Sequence, residues 1–224
     1  MNAEWIIRKG GPELLLFFNG WGMDRRTADY IRSAASSWSD RDIVVLYDYR
    51  DFDLPPWIPV EMTGYRAVDL IAWSLGVWAA MQAGLEGIGR AVAINGTPFP
   101  VDAERGIPPE IFLGTLENWS DVNRKRFERR MFTGCPDGCL DAVRSARGSA
   151  EQQDELRSIA AAVPRLAGNP TQEWSFSKAL IGGRDLVFLP ENQRRAWQDV
   201  PMVEIGDMPH FPFFHLAGWQ EVLQ

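Results

Sequence analysis

In the stretch IAWSLGVWAA, residues 71–80, a single hydroxyl, Ser74, stands among apolar neighbours, and Gly76 follows two positions later. A serine between an apolar run and an Ala-rich segment has two uses. Inside a strand it needs a hydrogen-bond partner; on a sharp strand-to-helix turn it can serve as a nucleophile. Such a turn presses strand and helix together, so small residues are required two before and two after, here Ala72 and Gly76. Glycine at both places is the usual pattern, and Ala72 adds one methyl group. A serine hydroxyl is a weak nucleophile and needs a base, which in turn needs an orienting acid. The chain has two histidines, His210 and His215, both in GDMPHFPFFHLAGW. His210 follows the apolar run MVEIG (202–206) in a Pro-bounded stretch that cannot be regular helix, and a loop gives a base its reach. It is favoured over His215, which is expected to begin a terminal helix. For the acid, ALIGGRDLVF places Asp185 after an apolar run and a Gly-Gly turn, upstream of His210. Its plainer use is a turn residue paired with Arg184. Asp207 is a rival, but it lies so near His210 that it is expected to brace the local loop instead.

Acyl chemistry on Ser74 also needs donors for the oxygen that gains charge. The N–H of Leu75, next to the nucleophile, is one candidate. The other is the N–H of Trp21 in LLLFFNGWGMD, where Gly20 and Gly22 let the backbone turn close to a substrate. Asn19 can brace that loop by bonding its own backbone.

These residues need a scaffold, and the apolar pattern supplies one. EWIIRK (4–9), ELLLFFN (13–19), DIVVLYDY (42–49), AVDLIAW (67–73), GRAVAING (89–96), SKALIGG (177–183) and MVEIG (202–206) read as strands. Helical patterns fall at 27–38, from Leu75 to Leu85, from about Glu191 and at the C-terminus. Strands alternating with helices predict an α/β fold, a mostly parallel sheet with helices on both faces. From about 101 to 173 the β pattern stops. PPEIFLGTLENW opens with prolines suited to a first helical turn, SDVNRKRFERRMF starts at a Ser120 cap, and SAEQQDELRSIAAAV offers a capping box from Ser149 to Gln152. The expectation is one domain over 1–224 with a helical lid inserted at 101–173.

The net charge of −7 argues against a nucleic-acid partner. No segment reaches the length of a membrane span, and the N-terminus lacks the apolar core of a signal peptide, so a cytoplasmic protein with no membrane partner is expected. Cys135 and Cys139, in FTGCPDGCL, are expected to be ordinary thiols in a turn and helix start. With two histidines far away in sequence no metal site is expected, and the chemistry calls for no cofactor.

With nucleophile, acid and base in this order at three strand ends, the chain resembles an α/β-hydrolase. More narrowly, FFNGWGMD, IAWSLGVWAA, AINGTPFP, IGGRDLVFLPENQRRAW and MPHFPFFH resemble the BioG-type pimeloyl-acyl-carrier-protein methyl ester esterases of biotin synthesis. The lid region carries no motif of that family. The resemblance implies cleavage of a methyl ester from a dicarboxylic acyl chain on acyl carrier protein. It assigns Ser74, Asp185 and His210 to a triad and Trp21 with Leu75 to the oxyanion hole. Two features read from the residues agree. Ten tryptophans are many for this length, and Trp21, Trp73 and Trp78 flank the key motifs; an acyl chain needs an apolar slot, for which Trp21 and Trp73 are candidates, while Trp78 reads as core. NRKRFERR gathers Arg124, Lys125, Arg126, Arg129 and Arg130 on one helix, with Phe127 and Met131 on its packing face. That segment is either a contact for an acidic carrier protein or a solvated face paired with Glu128, and the two readings stand equal. The alternatives to the esterase are a general carboxylesterase or acyl thioesterase with the same triad, and a non-catalytic binding protein on a hydrolase scaffold.

Overall fold

The computed structural model describes residues 1–34, 41–166, 173–216 and 218–223. In chain order the elements are β1 (Asn2–Ile7), β2 (Glu13–Phe18), α1 (Arg26–Ala34), β3 (Arg41–Tyr47), α2 (Trp57–Met62), β4 (Ala67–Trp73), α3 (Gly76–Gln82) and β5 (Ile88–Ile94). Four helices follow, α4 (Pro109–Glu117), α5 (Asp121–Met131), α6 (Cys139–Val143) and α7 (Ser149–Leu166). The chain then returns to the sheet with β6 (Lys178–Arg184), α8 (Pro190–Ala196), β7 (Met202–Pro209) and α9 (Trp219–Leu223).

The strands form a seven-stranded sheet in the order β1-β3-β2-β4-β5-β6-β7. Only β1 runs against its neighbour; the pairs β2/β3, β2/β4, β4/β5, β5/β6 and β6/β7 are parallel. Continuous apolar runs suit strands covered on both faces, and side-chain alternation divides each run between two cores. Leu14, Leu16 and Phe18 of β2 and Leu70 and Ala72 of β4 enter one cluster, with Ile58, Val77, Leu156 and Ile159 from helices. Leu15, Phe17, Ile71 and Trp73 enter the other, with Ala28, Ile31, Val143 and Val222. Burying large apolar side chains stabilises by about 1.5–3 kcal/mol each, so these central strands are the rigid base of the site.

Local chemistry sets most helix starts as the sequence predicts. Pro109 begins α4, and the Ser120 side chain accepts the Asn123 N–H at the head of α5. At α7 the structure corrects the expected Ser149–Gln152 box. The Gly148 N–H donates to the Glu151 carboxylate, 3.1 Å, and the Gln152 side chain turns inward. Helix α2 had no periodic signal to announce it. His215 does not begin the last helix; it sits in a turn, its N–H bonded to the Pro212 carbonyl, and α9 starts at Trp219. The cysteines are also corrected, because Cys135 and Cys139 are joined as a disulfide. Gly138, at φ +79°, turns the chain and sets the two Cα atoms 6.1 Å apart, within disulfide reach. The tail of the helix expected over 27–38 and the stretch 167–172 of the expected insertion lie outside the described residues.

Candidate active site

Strand β4 ends at Trp73, and the chain turns into α3 through Ser74 at φ +60°. A non-glycine residue in this left-handed region costs on the order of 1–3 kcal/mol, so its surroundings must enforce it. They do. The Ser74 N–H donates to the Ile94 carbonyl and the Ser74 carbonyl accepts from Val77. A Cβ on Gly76 would lie 2.4 Å from the Asn19 carbonyl oxygen, and one on Gly96 would lie 2.2 Å from that of Ser74. The two glycines let β2, the serine turn and the end of β5 close to contact distance.

The Ser74 Oγ lies 3.0 Å from Nε2 of His210, which is 1% exposed. Nδ1 of the same ring lies 3.0 and 2.9 Å from the two carboxylate oxygens of Asp185. A proton on Nδ1, donated to that carboxylate, leaves Nε2 as the acceptor for the serine hydroxyl. The structure therefore brings together the three residues that the sequence nominated. It gives Asp185 no partner in Arg184; its Oδ1 accepts the N–H groups of Val187 and Phe188, and its Oδ2 accepts Nε2–H of Gln193. His210 directly follows β7, and its carbonyl accepts Trp73 Nε1–H at 2.9 Å and Asn95 Nδ2–H at 3.0 Å. Asn95 also accepts the Gly182 N–H on β6, tying the strand that precedes Asp185 to the loop of His210. His215 is elsewhere, its Nδ1 3.9 Å from Asp207.

The loop after β2 runs beside the serine. Asn19 holds it as expected, accepting the Gly20 N–H and donating to the Asp24 carbonyl. Among the described residues, neither the Trp21 N–H nor the Leu75 N–H donates to a backbone carbonyl. Both residues line a cleft together with Ser74 and His210. Its walls are Trp21, Trp73, Ile107, Ile111, Phe112, Phe127, Met131, Leu156, Leu186 and Val187, with Thr115 and Arg130 as the further polar groups. Trp73 is fully buried and positions His210 as well as lining the cleft, whereas Trp78 is core, packed on Phe52.

The basic helix divides. Lys125, Arg126, Arg129 and Arg130 are exposed on α5. Arg124 is not part of that surface, contrary to expectation. Its guanidinium turns inward to the Glu128 carboxylate and the carbonyls of Ser145 and Arg147.

Several residues at the site escaped the sequence reading. Asn95 and Gln193 act across long separations, which no local pattern encodes. Gln152 and Glu155 had a signal: they fall in the buried stripe of α7 with Leu156, Ile159 and Ala162, where polar residues are out of place. Glu155 is fully buried, and that burial pushes its carboxyl above the usual range, with Arg147 and the Tyr49 N–H pulling it partly back. Among the described residues no group of three or more His, Cys, Asp or Glu could hold a metal ion, and no helix is long and apolar enough to cross a membrane.

A mostly parallel sheet carrying a strained serine turn at the end of a central strand defines an α/β-hydrolase. A lipase-esterase related protein from Clostridium acetobutylicum shares the fold, with a TM-score of 0.58 at 12% identity over 94% of this chain and 92% of that one. The family model described as pimeloyl-ACP methyl esterase BioG matches residues 1–222, and the chain belongs to that family. The crystal structure of BioG from Haemophilus influenzae superposes with a TM-score of 0.85, at 29% identity over 100% of both chains. A malonyl-[acyl-carrier protein] O-methyltransferase of Bacteroides fragilis is 37% identical over 190 residues. That match takes in 83% of this chain but 36% of the relative's length.

Proposed function

We propose that the protein is a serine esterase that removes the methyl group from the distal ester of a dicarboxylic acyl chain carried on acyl carrier protein. Ser74 Oγ attacks the ester carbonyl while His210 Nε2 takes its proton, and Asp185 holds the ring and balances the imidazolium. The N–H groups of Trp21 and Leu75 receive the oxyanion. His210 then passes the proton to the departing methoxide, methanol leaves, and an acyl-serine remains. Water, deprotonated by His210, cleaves that intermediate and frees the carboxylic acid. The slot lined by Trp21 and Trp73 takes the acyl chain, and α4 to α7 form the lid of a single domain. The carrier docks on the exposed face of Lys125, Arg126, Arg129 and Arg130, and the reaction belongs in the cytoplasm.

The observation that carries this reading is the continuous contact from Ser74 through His210 to Asp185, with Ser74 and His210 lining a mostly apolar cleft. Membership of the BioG family supports the substrate. The name of the Bacteroides protein describes a chain of which 36% is matched, and the site here suits attack on a carbonyl by a hydroxyl. The test has two arms. A fluorophosphonate should label Ser74, and the enzyme should release methanol from a carrier-bound pimeloyl methyl ester. Labelling without that hydrolysis leaves a carboxylesterase or thioesterase of other specificity; no labelling leaves a binding protein.

A further inference from the structure

Helix α7 reaches from the inserted region to the loop beside Ser74. The Trp21 indole N–H donates to the Gln152 carbonyl, 2.7 Å. The Gly22 N–H donates to Glu155 Oε2, 3.1 Å, and the Gly22 carbonyl accepts Gln152 Nε2–H, 2.8 Å. Two consecutive loop residues are thus held at three points by one turn of one helix. Glu155 is itself fixed from behind. Its Oε1 accepts the Tyr49 N–H, and Arg147 pairs with both Glu155 and Asp48.

The held segment is a turn. The Met23 N–H bonds back to the Gly20 carbonyl, and Gly22 has φ +74°, the type II pattern. Turns of types I and II interconvert by rotating their central peptide, here Trp21–Gly22, through half a revolution. After that rotation the Trp21 carbonyl would face the Glu155 carboxylate in place of the Gly22 N–H. We propose that Gln152 and Glu155 are positioning residues for this loop: Glu155 holds the Trp21–Gly22 peptide in its type II orientation, Gln152 holds the Trp21 indole and the Gly22 carbonyl on either side of it, and together they fix Trp21 so that its N–H, in the preceding peptide, can receive the oxyanion. The proposal rests on the esterase reading above and assigns part of its machinery to the inserted helix.

Gln152 itself argues for a directed role. It is 4% exposed, and its Oε1 has no hydrogen-bond partner among the described residues. A buried amide with an unmet acceptor costs more than Leu or Met of similar size. Its Nε2–H on Gly22 is the use that remains. The fit is also close, since a Cβ on Gly22 would lie 3.2 Å from the Gln152 amide nitrogen.

The experiment uses the full chain with Gln152→Met, which keeps the volume and removes the donor, and Gln152→Glu, which sets an acceptor against the Gly22 carbonyl. Hydrolysis of p-nitrophenyl butyrate passes through an oxyanion in both acylation and deacylation. Both variants should lose about 10- to 100-fold in kcat with KM within twofold of wild type, toward the range seen when an oxyanion donor is removed. Affinity for an alkyl trifluoromethyl ketone, which forms a tetrahedral adduct on serine, should fall by the same factor as kcat/KM. Arg157→Ala, on the exposed face of the same helix, should change neither. Unchanged kcat in either folded variant, or loss confined to KM with ketone affinity intact, overturns the proposal. A wild-type protein that neither hydrolyses the ester nor reacts with a fluorophosphonate overturns the esterase reading instead.

Discussion

Ser74 carries both a hydroxyl in contact with His210 and a backbone held at φ +60°, and substitutions separate the two. In the proposed mechanism Ser74→Ala and His210→Ala act on one proton-coupled step. Each should lower kcat by on the order of 10⁴-fold or more, and the double variant should be little worse than either single one. Additive losses in steady-state kinetics would break the assignment. His215→Ala, which removes a ring that meets Asp207 and Phe214, should keep most of the activity. The backbone contribution shows in a comparison of two inactive variants. Ser74→Gly and Ser74→Ala both lack the hydroxyl, but only alanine meets the steric cost of a positive φ. The glycine variant should be the more stable by about 1 kcal/mol in urea unfolding, since a left-handed L-residue costs roughly 1–2 kcal/mol. Equal midpoints would mean that the turn relaxes when the hydroxyl is gone.

The elements meet at glycines and at charges, and each kind of contact has its own failure. Gly76→Ala places a methyl carbon within 2.6 Å of two backbone carbonyl oxygens at the end of β2, where no side chain can move aside. The expected result is several kcal/mol of lost stability, beyond the roughly 1–3 kcal/mol of ordinary overpacking. In the proposed docking of the carrier, the exposed cations of α5 act at a distance. Neutralising Arg126 and Arg129 to Gln should cut kcat/KM on a carrier-bound ester a few-fold to tenfold, at about 0.2–1 kcal/mol per exposed contact. A small neutral ester should be unaffected, and added salt should weaken only the carrier reaction. Equal response of both substrates would leave α5 as an ordinary solvated face. The sequence made these elements legible to different degrees. Ser74, Asp185 and His210 could be found because each lies at the end of an apolar run dense enough to be read as a strand. Arg124 and Gln152 were misplaced for the opposite reason. A helical stretch of charges says nothing about which guanidinium meets the Ser145 and Arg147 carbonyls. Ser149-x-x-Gln152 matched a local capping pattern, while the partner that claims Gln152 is Gly22, 130 positions away. Folding decides such contacts through the packing of α7 on the sheet, and no window of sequence contains both partners.

At the scale of the whole molecule, acid should unfold the protein through carboxylates the native state holds charged. Burial pushes Asp69 up, but Arg41 and the Arg90 guanidinium and N–H pull it further down, below the usual range. Asp42 and Asp102 are likewise lowered by backbone N–H donors that outweigh burial, and Glu204 chiefly by Arg194. A lowered native pKa means that the unfolded chain binds more protons, so stability is full above the ordinary carboxylate range and is lost as pH falls through the native values. Glu155 runs the other way: its raised value favours the folded state in acid, and that contribution fades as pH rises through the native pKa. Urea midpoints between pH 3 and 7 should therefore fall toward acid, and Asp69→Asn, already destabilised, should show a flatter decline. An unchanged slope would remove Asp69 from the account. The cleft has a consequence for what happens after the bond is cut. Its walls are mostly hydrocarbon, with Thr115 and the exposed Arg130 among the residues that line it. In the proposed reaction a neutral ester enters such a space at little cost, whereas the carboxylate left behind is an anion among mostly apolar walls, with Arg130 as the arginine that lines them. On the proposed reaction, hydrolysis thus converts a guest that fits the apolar walls into one they solvate poorly, and the product's own charge favours its departure. The free acid should inhibit only at concentrations on the order of tenfold or more above the KM of its ester.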